Sequence, residues 1–206
     1  IMQTKENDLD VQDDNVVRKD GGKGMSLKEL AQTVYYRGHE LPPGTNPELI
    51  TTSSFLIEGI PFVFTNSAMG CLVDVDIDTG LIKIEKFWAV EDCGTQINPK
   101  LVEEQIKGGV VQGIGGALYE ENIYDEYGNL VNGNMADYLV PMAYEMPDII
   151  VDHVVTNSGR SILGAKGAGE AGTGGAPAAI MNAVNDALKV KNVEITSQPI
   201  TPEKIL

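Results

Sequence analysis

The residues best placed for chemistry form a glycine-rich stretch, Gly164-Ala165-Lys166-Gly167-Ala168-Gly169-Glu170. Backbone N–H groups from Lys166 to Gly169 can point at an anion or an oxo group in such a loop. Glu170 then becomes a carboxylate in a tight, poorly solvated setting, facing a cleft and bonded by few or no side chains. A second set lies upstream, where Gln105 and Gln112 are seven residues apart. On a helix that spacing puts both amides on one side, roughly 10 Å apart, and an amide can donate and accept at once. Gly108, Gly109, Gly113, Gly115 and Gly116 share the segment, each costing about 1 kcal/mol in a helix relative to Ala. They imply close approach by another backbone or a flat ligand. Tight helix packing through Gly109, Gly113 and Ala117 is the competing reading. On the first reading, the Gln105 and Gly109 side faces the ligand while Leu101, Val102, Ile106 and Val110 pack on the core.

Several elements must carry these groups. Asn98-Pro99 caps a helix running to about Glu120, with Pro at its first position. Before it, Val73, Val75 and Ile77 alternate with Asp74, Asp76 and Asp78, Thr79-Gly80 turns the chain, and Ile82 and Ile84 alternate on the return. That pattern is a β-hairpin. Ser26 and Glu29 form a capping box, Met25 and Leu30 a hydrophobic staple, and Gly38 stops the helix between them. Leu41 to Pro47 reads as a link, Asp125 to Asn129 as a turn and Ile149 to Thr156 as a strand. The glycine-rich segment runs from Gly164 to Gly175, and a last helix from about Pro177 to Leu188. Residues 1–20 read as weakly ordered or as an edge segment. Strands and helices mix without regular alternation, so the fold class is α+β, taken as a single domain over 1–206.

The 206 residues are 42% hydrophobic and 22% charged, an ordinary globular composition. Against 30 acidic residues stand 15 Lys and Arg, a net charge of -15, which disfavours nucleic-acid binding. No apolar run reaches the roughly 18 residues of a membrane helix. Cys71 and Cys93 make no CxxC pair, so no protein metal site is expected and any metal would arrive on a cofactor. A reduced, cytoplasmic protein is expected. The acidic hairpin places Asp74, Asp76, Asp78 and Glu85 at calcium-loop spacing, but Thr79 stands where that loop needs Gly. Residues 167–172 match GxGxxG, the dinucleotide fingerprint. That match is weak, because no strand runs straight into it and the helix is expected too late.

Two longer motifs are more specific. One is Asp92-Cys93-Gly94-Thr95-Gln96-Ile97-Asn98-Pro99 with Glu104-Gln105-Ile106-Lys107-Gly108-Gly109-Val110-Val111-Gln112-Gly113. The other is Gly164 to Glu170 with Asn182-Ala183-Val184-Asn185-Asp186-Ala187. In order and separation they resemble the signatures of the molybdenum-cofactor-binding large subunit of the xanthine dehydrogenase, aldehyde oxidase and carbon monoxide dehydrogenase family. The resemblance spans about residues 50 to 206 and is loose before that. The acidic hairpin, DCG…INP and NAVNDA look most like carbon monoxide dehydrogenase large chains.

The resemblance implies a molybdenum–molybdopterin cofactor, with a dinucleotide form left open. Glu170 would be the catalytic general base, Gln105 and Gln112 would contact the pterin, and Lys166, Gly167, Ala168 and Gly169 would line the site, with a structural role bonding loop carbonyls as the alternative for Lys166. Iron–sulfur and FAD centres are expected only on partner subunits, and a homo-oligomer is left open. The family's GGGFGG-type and AFRG-type segments are not in this sequence. A split subunit or a fragment is therefore expected, inactive alone, and the helix start at Thr201-Pro202 fits truncation. The competing functions are a non-catalytic relic or assembly subunit of the same fold and a NAD-binding protein.

Overall fold

The computed structural model describes every residue except 58, 60 and 61. The chain forms two compact units, residues 1–56 and 57–206. In the first, β1 (Leu9–Gln12) and β2 (Asn15–Arg18) make an antiparallel hairpin, and β3 (Met25–Ser26) pairs with β2. Within the opening twenty residues, 9–18 form this hairpin, with β1 at the edge of its sheet, the edge-segment alternative of the two read from sequence. Its turn is Asp13-Asp14, both at positive φ (45° and 60°), a conformation Asp tolerates better than most residues. Helix α1 (Leu27–Tyr36) follows with Ser26 as its N-cap, the hydroxyl accepting from Glu29 N. It ends before Gly38, as the capping pattern predicts.

The second unit carries every candidate site residue. Strands β4 (Asn66–Val75) and β5 (Ile82–Asp92) form the predicted hairpin, with Val75 opposite Ile82 and Val73 opposite Ile84. Asp76 shapes the turn, its carboxylate accepting from Asp78 N and Thr79 N at 2.9 and 3.3 Å. Those bonds give the acidic run a turn-forming task. Strand β6 (Asp148–His153) lies parallel to β5, completing a sheet of order β4-β5-β6. Helices α2 (Pro99–Leu118) and α3 (Ala171–Leu188) pack on one face of this sheet, and the short α4 (Pro202–Ile205) follows. Phe87 and Ala89 of β5 meet Ile106, Val110 and Ile114 of α2 and Ile180, Val184 and Leu188 of α3 in the core. The mixture is α+β, as expected.

Helix α3 departs from expectation by starting at Ala171, six positions before Pro177. Gly172, Gly174 and Gly175 read as loop from sequence, yet they form its first turns. The reason is the neighbouring helix. A Cβ on Gly109 would sit 3.0 Å from Gly172 Cα and Thr173 N, and one on Gly113 would sit 2.6 Å from the Ala176 Cβ. Thr173 Oγ1 donates to Gly109 O at 3.0 Å. Packing against a second backbone offsets the helix penalty of these glycines. Gly109 and Gly113 thus belong to the helix interface, and the ligand-facing expectation for Gly109 gives way to the packing one. Ile106 and Val110 are fully buried, whereas Leu101 is 66% exposed and not in the core.

Gly109→Leu should therefore overpack the α2–α3 contact by about 3 kcal/mol. A thermal melt should show Tm falling by about 6–12 °C. An unchanged Tm would contradict the interface assignment.

Candidate functional site

The end of β5 and the glycine-rich loop are joined by backbone. Gly94 and Ala165 form an antiparallel bridge, and Lys166 N donates to Cys93 O at 2.8 Å. Thr95 N and Ser158 N both donate to Gly164 O, at 3.3 and 3.0 Å. Gly94 has φ +64°, and a Cβ there would collide with Gly164 O. The glycine of the Asp-Cys-Gly triplet is thus required by both conformation and contact.

Side chains tighten the junction. Lys166 Nζ donates to Asp92 Oδ2 at 2.8 Å and to Thr156 Oγ1 at 2.7 Å. The Thr156 hydroxyl in turn donates to Asp92 Oδ2. Asp92 Oδ1 accepts from Gly94 N and Thr156 N, each at 3.1 Å. The Lys166 and Asp92 side chains are only 8% and 10% exposed. Lys166 first, then Thr156, hold the Asp92 carboxyl well below the usual carboxylate range. Lys166 could from sequence either line the ligand site or serve the loop structurally; its ammonium points into this network, and its N–H is taken by Cys93 O.

Beyond Lys166, the N–H groups of Gly167, Ala168 and Gly169 have no hydrogen-bond partner among the described residues. Gly169 O accepts from Gln105 Nε2 of α2 at 2.8 Å, which brings the two predicted segments together. Glu170 is the N-cap of α3. Its carbonyl accepts from Thr173 N and Gly174 N, while its side chain makes no cap bond. The carboxylate has no side-chain partner among the described residues, as predicted. The poorly solvated setting is not found, because Glu170 is exposed. It lines neither of two surface pockets, one of about 340 Å³ near Phe62, Phe64 and Lys166, the other of about 480 Å³ near Lys107 and Asp148.

Gln112 lies two turns along α2 from Gln105, exposed and without a hydrogen bond among the described residues. Around Gly108 and Gly116 there is open space within 4 Å, so the Gln105 face of α2 is flat. The GxGxxG match fares differently from expectation on one side. Its helix opens at Ala171, inside the match, but β6 ends at His153 and residues 154–166 intervene. The strand that a dinucleotide fingerprint requires does not run into it.

Sequence reading missed Glu91. It is 1% exposed on the core side of β5, and both carboxylate oxygens lack partners among the described residues. His153, its register partner on β6, has a buried Nδ1 with no partner among the described residues. Burial pushes the Glu91 carboxyl up to about 7. Its break in an otherwise apolar alternation, Phe87-x-Ala89-x-Glu91, was the available signal.

Comparison with known proteins fixes the family. The sequence model of the molybdopterin cofactor-binding domain matches residues 1–147. The chain belongs to this family. It is 38% identical to the nicotine 6-hydroxylase large subunit of Paenarthrobacter nicotinovorans, over 97% of the chain and 25% of that protein. It is 36% identical to the carbon monoxide dehydrogenase large chain of Afipia carboxidovorans, over 86% of the chain and 21% of that protein. The crystal structure of quinoline 2-oxidoreductase from Pseudomonas putida 86 superimposes with a TM-score of 0.90 at 39% identity, covering 98% of this chain and 26% of that one. The molybdopterin-domain chain thus spans about a quarter of the length of these relatives. The family match begins at residue 1, so it extends over the first 50 residues as well. No helix among the described residues is long and apolar enough to cross a membrane.

Glu91 gives the domain a pH signature. Its pKa is higher folded than the usual 4.5, so its stabilising contribution is full below about pH 4.5 and is lost as pH rises through about 7. Glu91→Gln should leave stability at pH 4.5 nearly unchanged and add about 3 kcal/mol relative to wild type by pH 8. Denaturant titrations across that range would test this, and a pH-independent difference would contradict it.

Proposed function

We propose that this domain supplies part of a molybdenum–molybdopterin active site, with Glu170 as general base and Gln105 on the pterin. The observation that carries the reading is the 2.8 Å bond from Gln105 Nε2 to Gly169 O. It ties the α2 amide to the residue before Glu170, whose exposed carboxylate has no side-chain partner among the described residues.

The residues fit the group. After its bond to Gly169, Gln105 keeps one N–H and its carbonyl oxygen, a donor and an acceptor for a pterin edge. The open space at Gly108 and Gly116 leaves the same helix face flat, as a planar ring needs, with Gln112 farther along it. The N–H groups of Gly167, Ala168 and Gly169 suit an anionic or oxo ligand. The cofactor, when bound, supplies two-electron redox chemistry. Glu170 takes up a proton at its carboxylate during the reaction, and its exposure in this chain is a place for reactant and cofactor to cover. Lys166 acts on the site through its backbone position, since its ammonium is committed to Asp92 and Thr156.

The rest of the pocket comes from the remaining segments of the large subunit or from a separate chain, with iron–sulfur and FAD centres on partner subunits in the cytoplasm. In the assembled enzyme, Glu170→Gln should retain molybdenum content and slow turnover by at least about 100-fold. Near-normal turnover would refute the base and favour a non-catalytic assembly role. The 206-residue chain expressed by itself should bind no molybdenum, because too few contacts remain to offset immobilising a large polar cofactor. Stoichiometric metal by mass spectrometry would show a more self-contained site.

A further inference from the structure

We propose that Asp92 is a positioning residue: by holding Lys166 it fixes the loop that ends in Glu170. The inference rests on the reading of Glu170 as the base.

Asp92 stands at the last position of β5 and gathers donors from three places: Gly94 N just beyond the strand, Thr156 N and its hydroxyl after β6, and Lys166 Nζ in the loop. Only Gly167, Ala168 and Gly169 separate Lys166 from Glu170. That short span is held at one end by Asp92 and near the other by Gln105 on Gly169 O. Two of its three residues are glycines, which have the most backbone freedom to lose. Without the Lys166 anchor the span can move, and a base displaced by about 1 Å can lose about 100-fold in rate.

A purely structural duty explains the arrangement less well. The apolar core of the unit runs through Phe87, Ile106, Ile114, Ile180 and Val184, whereas Asp92, Lys166 and Thr156 meet through polar groups alone at the end of β5. A buried ion pair adds little net stability compared with a neutral replacement of both partners, whereas removing one partner strands the other. What this pair does provide is a fixed position for the residue four places before Glu170.

The test uses the assembled, cofactor-loaded enzyme with Asp92→Asn, Lys166→Met, the double substitution of that pair, and Glu170→Gln as reference. Asp92→Asn should lower kcat per bound molybdenum at least about 10-fold with KM within about twofold. Hydrogen exchange of the 164–171 peptide should quicken at least about 10-fold, with β4 and β5 peptides unchanged. The double substitution should recover thermal stability without recovering kcat. Asp92→Asn combined with Glu170→Gln should be no slower than Glu170→Gln alone, because the two act through one group. Unchanged kcat and exchange in Asp92→Asn, recovery of kcat with stability in the double, or additive losses with Glu170→Gln would each overturn the proposal. If Asp92→Asn does not fold, Thr156→Val removes the bridging hydroxyl and keeps both charges. It should still lower kcat by at least about threefold and quicken loop exchange, and no change in either would overturn it. Near-normal turnover of Glu170→Gln would sink the base assignment itself. Slow Glu170→Gln with normal Asp92→Asn would sink only the positioning role.

Discussion

A nearly dry ion pair between Asp92 and Lys166 sets where the candidate base can be. The Lys166 ammonium spans 74 positions of sequence to reach strand β5, and no other ammonium lies as deeply among the ion pairs of the described residues. Two buried charges must be matched by hydrogen bonds as well as by each other. Here the carboxylate has that match, with two backbone N–H groups and a hydroxyl in addition to the ammonium. The depressed Asp92 carboxyl is the electrostatic trace of this arrangement. The bridge at Gly94 and Ala165 sets the same junction in backbone.

The second constraint is the distance between α2 and α3. Glycines at 109, 113 and 172 let the two backbones approach until a Cβ would have no room. This closeness is what lets Gln105 on α2 reach a carbonyl at the foot of α3. Packing and the proposed pterin contact therefore share adjoining strips of one helix. Gly109 closes the interface, Gln105 one turn before it bonds Gly169 O, and Gly108 beside them stays open. Glycine content alone could not separate the two uses, because both need small residues for the same steric reason.

Features with local causes were legible in the sequence. The β4–β5 hairpin follows from period-two alternation and a Thr-Gly turn, α2 from the Asn98-Pro99 cap, and the 125–129 turn from an Asp whose carboxylate accepts from Tyr127 N and Asn129 N. What was missed depends on contacts distant in sequence. The early start of α3 is set by packing on α2, and the duty of Lys166 by a strand far upstream. The β1–β2 turn has two aspartates at positive φ instead of a glycine, so it lacked the usual hairpin mark. The solvation of Glu170 was misjudged because glycine richness implies tightness of backbone and says nothing about what lies above it. Glu91 stayed hidden for another reason: a charged residue reads as solvent-facing until strand parity places it inside.

Glu170 can act as the base only if its carboxylate lies beside the bound cofactor. The most direct measurement is a structure of the assembled, molybdenum-loaded enzyme. It should place the Glu170 carboxylate facing the metal with no side chain between them, Gln105 at the pterin edge, and Lys166 still bonded to Asp92. A cofactor bound away from the Gln105 face of α2, or a Glu170 directed away from it, would contradict the account.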